Sequence, residues 1–242
     1  MEIKTTKDIY FHNGDYDELR KNLHNKIIDK FISEKGENPE IIGPEAIILG
    51  GGSGSGKTSV VEDIIGSDGY VIVDADKIKE ELDEFKEEVK KKNPLAADIV
   101  HDESSDIATF LLDVTMDMPE NLIYDGTMKN IEKYKRIIDT LKRYGYTINM
   151  VIVDADVEVA VERVKVRNTE GRFVSEDTVR LTNKLISESF KVLKDLVDSY
   201  TIYENSVNGE YPREIAYKDP EEDDEVIIDM QAFINFLEKS NF

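Results

Sequence analysis

Ala46-Ile47-Ile48-Leu49-Gly50 runs directly into Gly51-Gly52-Ser53-Gly54-Ser55-Gly56-Lys57-Thr58, and this junction decides the fold. The first five residues read as a short apolar strand. Gly51 to Thr58 match G-x-x-x-x-G-K-[ST] at every fixed position. Glycines let the backbone turn tightly and aim its N–H groups inward. A helix that begins at the lysine adds its own unpaired amides, completing an anion site. A merely flexible Gly/Ser loop needs neither the strand before it nor the helical run Ser59-Val60-Val61-Glu62-Asp63-Ile64-Ile65 after it. Gly52, Ser53, Gly54, Ser55, Gly56, Lys57, Thr58 and Ser59 are therefore expected to cradle the phosphates of ATP. Lys57 would reach the β and γ phosphates, and the Thr58 hydroxyl would bind Mg²⁺.

Outward from this loop the chain alternates apolar runs with helical patterns. Strands are expected at 46–50, 70–74, 121–125 and 147–153, with a weaker one at 200–203. Helices are expected at about 57–66, 76–92, 98–116, 129–144, 156–168 and 176–198. Continuous apolar strands suit a parallel sheet buried on both faces. The alternation predicts a doubly wound, mostly parallel α/β sheet of the P-loop kinase type. An amphipathic helix precedes it at 20–34, and Ile227, Met230, Phe233, Ile234 and Leu237 fit a final one. The expected organisation is an N-terminal helical extension at 1–45, a kinase core at 46–205, and an acidic segment plus helix at 206–242 packed on the same domain. Val-Ile-Val-Asp-Ala-Asp occurs twice, at 71–76 and 151–156, and reads as two strand ends of similar design.

The 242 residues carry 31 Lys and Arg against 52 Asp and Glu, a net charge of −21. Such a surface repels nucleic acid and anionic lipid, so neither is expected as a partner. A basic partner protein is compatible with it. There is no cysteine, hence no disulfide framework or thiolate chemistry. No apolar run approaches the roughly 20 residues a membrane helix needs, and the N-terminus lacks a signal-peptide core. The expected location is the cytoplasm.

A phosphate loop alone does not separate kinases from GTPases or motors. Guanine readers use Asn-Lys-x-Asp, and Asn183-Lys184-Leu185-Ile186 lacks the Asp. Kinases of small molecules need an acceptor-binding carboxylate at a strand end and arginines over the phosphates. The 70–74 strand ends in Asp74-Ala75-Asp76-Lys77-Ile78-Lys79, where a carboxylate either takes a proton from the attacking hydroxyl or caps a helix. Arg163 and Arg167 share a helix face, with Arg172 beyond a Gly-containing loop. Their guanidiniums either converge on the transferring phosphate or line a solvated face. Asp125-Gly126-Thr127 ends the third strand, with Asp125 placed to hold Mg²⁺ or simply to enter a turn.

With GGSGSGKT at 51–58, DADKIK at 74–79, HDESS at 101–105, YDGT at 124–127 and ERVKVRNTEGR at 162–172, the chain resembles the zeta toxin family of P-loop kinases over roughly 20–205. The resemblance implies ATP- and Mg²⁺-dependent phosphorylation of a hydroxyl of UDP-N-acetylglucosamine or a related nucleotide sugar, and an inhibitory antitoxin partner. It makes Lys57 the phosphate-binding lysine, Asp76 the base, and Arg163 and Arg172 the stabilisers of the transferring group. Asp76, Lys79, Glu103, Asp125 and Thr127 become substrate contacts, and Thr58 and Asp125 metal contacts. Lys79 stands where the family often has arginine, and His101 is assigned no proton. Two other readings stay open: a kinase of another small acceptor (an antibiotic, nucleoside or metabolite), and a nucleotide-binding regulatory module with little catalysis.

Overall fold

The computed structural model describes residues 3–37, 43–168, 173–221 and 224–241. The chain opens with helix α1 (Thr6–Tyr10), started by a capping box between Thr5 and Asp8, and a two-residue-per-strand hairpin, β1 (Phe11–His12) and β2 (Asp15–Tyr16). Asn13 and Gly14 supply the positive φ angles, 55° and 88°, that its tight turn requires. Helix α2 (Glu18–Ser33) follows, N-capped by Asp17.

The remaining elements build one sheet and its cover. They are β3 (Glu45–Gly50), α3 (Lys57–Val60) running into a wider turn at Val61–Ile65, β4 (Val71–Asp74), α4 (Ala75–Lys79), α5 (Asp83–Lys90), α6 (Ala96–Asp117) and β5 (Leu122–Asp125). Then come α7 (Ile131–Arg143), β6 (Thr147–Asp154), α8 (Val157–Asn168), α9 (Glu176–Leu193), β7 (Ser199–Glu204), β8 (Arg213–Lys218), β9 (Val226–Ile227) and α10 (Met230–Glu238). The sheet order is β4-β5-β3-β6-β7-β8-β9. The first five strands are parallel, and β8 and β9 continue the sheet antiparallel. This is the P-loop kinase arrangement, with the loop-bearing strand β3 in the middle. The chain passes from β3 to β4 on one side and from β5 across β3 to β6 on the other, so the carboxyl end of β3 opens a crevice.

Both faces of β3 are buried, as a parallel sheet demands. Ala46 and Ile48 face the large core formed with α2, α6, α7, α9 and α10, while Ile47 and Leu49 face a smaller one with Val60, Ile123, Val151 and Val153. Phe190 of α9 joins the late elements, its ring edge-on to Tyr200 at 5.0 Å and to Phe236 of α10 at 5.4 Å. Among the described residues no helix is long and apolar enough to cross a membrane.

Two expectations change. The helix anticipated over 76–92 is two helices, because fully buried Leu82 sits on extended backbone and resets the helical phase before α5. The segment after 205 contributes strands β8 and β9 as well as a helix. Their short, partly exposed runs carry too little apolar periodicity to stand out from a loop.

Phe236 is fully buried, so Phe236→Ala should lower unfolding free energy by about 3–5 kcal/mol in urea titration. A loss below about 1 kcal/mol would show that α10 lies outside the cooperative core.

Candidate active site

The loop from Gly51 to Gly56 closes on itself, the Ser55 amide donating to the Gly52 carbonyl at 3.1 Å. Its outward carbonyls are met by side chains from three later elements. Asn183 of α9 donates Nδ2 to the Ser53 carbonyl at 3.2 Å, and the Ser53 amide donates to Thr182 Oγ1 at 3.1 Å. Asn205, just past β7, donates Nδ2 to the Ser55 carbonyl at 2.8 Å. Arg163 of α8 directs Nη1 to the Gly54 carbonyl at 3.3 Å and Nε to Asn208 Oδ1 at 2.8 Å. These contacts explain the glycines. A Cβ on Gly52 would lie 2.3 Å from Asn183, and one on Gly56, at φ +90°, would lie 2.1 Å from Asn205. Lys57 folds back so that Nζ donates to the Gly51 carbonyl at 3.2 Å. Thr58 and Ser59 are exposed in the first turn of α3.

On one side of the loop lies a cleft of about 500 Å³ bordered by Gly56, Ser59, Arg163, Asn205, Asn208 and Tyr211. On the other lies a smaller pocket of about 120 Å³, where Asp76, Lys79 and Arg167 meet an apolar wall that includes Phe85, Ala97 and Phe173. Arg163 and Arg167, one helical turn apart, therefore serve different recesses.

Three carboxylates gather at the ends of β4 and β5. Asp74 and Asp125 are cross-strand neighbours, and Leu49 of β3 pairs with Asp125 from the other side. Burial, offset in part by Lys57 and reinforced by Asp74 and Asp76, pushes the Asp125 carboxyl up to about 6. Burial and then Asp76 also raise Asp74. Asp74 is the helix cap: its Oδ1 accepts the Asp76 amide at 2.7 Å. Asp76 behaves differently. The protein around it disfavours its charge, but Lys79, then Lys57 and Arg167, hold its carboxyl below the usual range. Its side chain is 82 % exposed, so it is surrounded by the cleft without being covered, and Lys79 Nζ donates to it at 2.7 Å. Thr127 follows half-buried in the loop between β5 and α7.

One expected contact does not reach this cleft. Glu103 is fully buried on α6, bonded to Arg20 and to His24 Nε2, the latter at 2.7 Å. Burial opposes its charge, but the hydrogen bonds from His24 and Arg20 hold its carboxyl down at about 2. An acid in a helical motif reads as ligand-facing only if the helix turns it that way, and α6 turns Glu103 toward α2. Arg172 lies outside the described residues. Sequence reasoning missed Thr182, Asn183 and Asn205. The first two carried a usable signal: polar residues on the buried stripe of α9 beside Val179 and Ile186. Among the described residues no group of three or more His, Asp or Glu side chains forms a metal-binding cluster.

A central β3, the loop after it and carboxylates on the flanking strand ends define a P-loop kinase fold. The zeta toxin family model matches residues 28–215, and the chain belongs to that family. Toxin PezT of Streptococcus pneumoniae serotype 4 (strain ATCC BAA-334 / TIGR4) is 23% identical over 186 residues, covering 76% of this chain and 69% of PezT. The calmodulin calcium-dependent NAD kinase of Arabidopsis thaliana is 25% identical over 229 residues, covering 73% of this chain but only 43% of that protein. Among solved structures, the AvrRxo1-ORF1:AvrRxo1-ORF2 complex with sulphate ions superposes with TM-score 0.77 at 16% identity over 98% of this chain and 82% of that one. The same pair with ATP gives TM-score 0.77 at 15% identity over the same shares. The PezAT toxin-antitoxin system of S. pneumoniae gives 0.65 at 19% identity over 79% and 78%. These structural likenesses concern the fold.

The raised Asp125 gives a pH signature. Its native state holds the proton more tightly than the unfolded chain, so the stability it contributes is full below about pH 4 and lost as pH rises through about 6. Asp125→Asn should remove that dependence and leave the ligand-free protein more stable at pH 7, by up to about 3 kcal/mol. Urea midpoints at pH 4 and pH 7 check it. A variant no more stable than wild type at pH 7 contradicts the assignment.

Proposed function

We propose that this protein is an ATP- and Mg²⁺-dependent kinase that phosphorylates a hydroxyl of a nucleotide-linked acceptor, with UDP-N-acetylglucosamine the first candidate. The observation that carries the reading is the position of Asp76, a carboxylate held in its charged form by Lys79, Lys57 and Arg167 in the pocket beside the phosphate loop. A bare nucleotide-binding module has no use for such a group.

In this reading ATP lies across the loop with its base in the 500 Å³ cleft bordered by Asn205, Asn208 and Tyr211. The loop amides and Lys57 hold its phosphates, and the Lys57 amine exchanges the Gly51 carbonyl for phosphate oxygen. A hard cation of this kind keeps waters and takes one or two protein oxygens plus phosphates, so the Thr58 hydroxyl and the Asp125 carboxylate suffice as its ligands. Held there, Mg²⁺ would supply positive charge to offset that of the phosphates. Asp76 accepts the proton of the acceptor hydroxyl as its oxygen attacks the γ-phosphorus. The bond from that phosphorus to the bridging oxygen breaks and ADP departs. Lys79 releases Asp76 to the acceptor and, with Thr127, orients it. Arg163 and Arg172 neutralise charge on the transferring group. The remaining roles are positional, as phosphoryl transfer requires.

A second acceptor is favoured by one observation, the likeness to a plant protein named as an NAD kinase. NAD and a nucleotide sugar both offer sugar hydroxyls beside a diphosphate, so the same pocket chemistry serves either. The PezAT and AvrRxo1 neighbours are two-component complexes, which supports a protein antitoxin as a partner.

Incubation with ATP, Mg²⁺ and either UDP-N-acetylglucosamine or NAD, followed by phosphorus NMR, tests the reading. A phosphorylated acceptor should form with the wild type and not with Lys57→Ala. Asp76→Ala should retain ATP binding while its transfer rate falls at least about a hundredfold, the range expected for loss of a general base. Near-normal turnover in that variant would remove Asp76 from the mechanism. Product with NAD alone would replace the acceptor named first.

A further inference from the structure

Arg20 lies on α2, far in sequence from the pocket that holds Asp76, yet it grips both helices that wall that pocket. Its Nη1 and Nη2 donate to Glu84 Oε1 and Oε2 at 2.9 and 3.1 Å. Its Nε and Nη2 donate to Glu103 Oε1 and Oε2 at 2.5 and 2.8 Å. One guanidinium thus makes a bidentate pair with each of two carboxylates. Glu84 is on α5, next to Phe85; Glu103 is on α6, two turns beyond Ala96. Phe85 and Ala96 both line the pocket with Asp76.

The surroundings hold this fork still. Asp17 caps the first turn of α2 by accepting the Arg20 amide at 2.8 Å. The Tyr10 ring covers the guanidinium at 4.2 Å, and His24 adds a second contact to Glu103. Arg20 and Glu103 are 8 % and 0 % exposed. A charge pair so deeply buried contributes little net stability, because desolvation offsets the attraction. What a rigid planar fork supplies instead is geometry.

We propose that Arg20 is a positioning residue for acceptor binding: through Glu84 and Glu103 it sets the spacing of α5 and α6 and so the shape of the apolar wall opposite Asp76. The N-terminal segment is then a part of the acceptor site that never touches the acceptor. This rests on the kinase reading above for its kinetic consequence, but not for its structural one. In that reading ATP lies in the cleft walled by α3, α8 and the segment after β7, none of which Arg20 contacts.

Arg20→Lys is the informative variant, since it keeps the charge that Glu103 requires and loses only the fork. Glu84→Gln, at the half-exposed end of the pair, loosens α5 with little risk to folding. For both, KM for the acceptor should rise, roughly tenfold for Arg20→Lys and less for Glu84→Gln, within the range that misplacement of a remote positioning group produces. The kcat at saturating acceptor and the Kd for ATP should each stay within about twofold. Unchanged acceptor KM in both variants, or an equal loss of ATP affinity, overturns the proposal. If the wild type phosphorylates neither UDP-N-acetylglucosamine nor NAD, the kinase reading fails and the clamp is judged by hydrogen exchange. Arg20→Lys should then speed exchange across 83–97 and leave 51–60 unchanged. Equal exchange in 83–97 overturns it.

Discussion

Everything in the crevice depends on one constraint: a phosphate loop must turn its amides inward, which leaves its carbonyls facing protein. An unpaired buried carbonyl is expensive, so each needs a donor. Here Asn183, Arg163 and Asn205 provide them, reaching Ser53, Gly54 and Ser55 from α9, α8 and the end of β7. The donors come so close that Gly52 and Gly56 have no room for a Cβ. The glycines therefore answer to the protein behind the loop as much as to the phosphate in front of it.

The repeated hexapeptide shows how much the sheet order decides. Val71–Asp76 and Val151–Asp156 have identical residues, and each forms a strand end followed by a helix. In the first, Asp74 caps α4, and Asp76 stands in the cleft beside Lys79. In the second, buried Asp154 accepts from Lys239 at 2.6 Å, and Asp156 caps α8 by accepting the Glu158 amide at 2.8 Å. The difference lies outside the repeat. β4 is separated from β3 by β5, whose Asp125 adds a further carboxylate, whereas β6 lies directly against β3 and is overlaid by the chain's last residues. Local sequence makes the turn, and the neighbours decide whether its acids face solvent, ligand or lysine.

The same distinction marks what could be read in advance. Four of the five parallel strands were legible because their apolar runs are continuous and end in turns, with β7 weaker because its burial alternates, and the phosphate loop because its spacing leaves few alternatives. Strands β8 and β9 were not, since an antiparallel edge needs little burial and carries little pattern. Glu103 was placed at the substrate on motif resemblance, yet its partners Arg20 and His24 stand 83 and 79 residues away in sequence. No spacing rule links them. Asn205 was equally hidden, because a loop asparagine has many possible partners and only the fold selects the Ser55 carbonyl.

The two recesses beside the loop are built by different parts of the chain. The larger cleft takes its walls from the start of α3, from Arg163 and from residues 205–212, while the pocket around Asp76 draws mainly on residues 76–97, steadied by Arg20. Changes to α5, α6 or the N-terminal segment can therefore reshape the Asp76 pocket without disturbing the carbonyl contacts that hold the phosphate loop. Arg167 is the exception: it lies on α8 one turn from Arg163 but faces the Asp76 pocket. A single helix thus carries one cation to each side. In a chain with 52 acidic residues, that placement also matters electrostatically. Arg167, Lys79 and Lys57 are the charges that keep Asp76 ionised among its carboxylate neighbours. Burial raises Asp74 and Asp125, and at Asp76 these three cations turn the shift the other way.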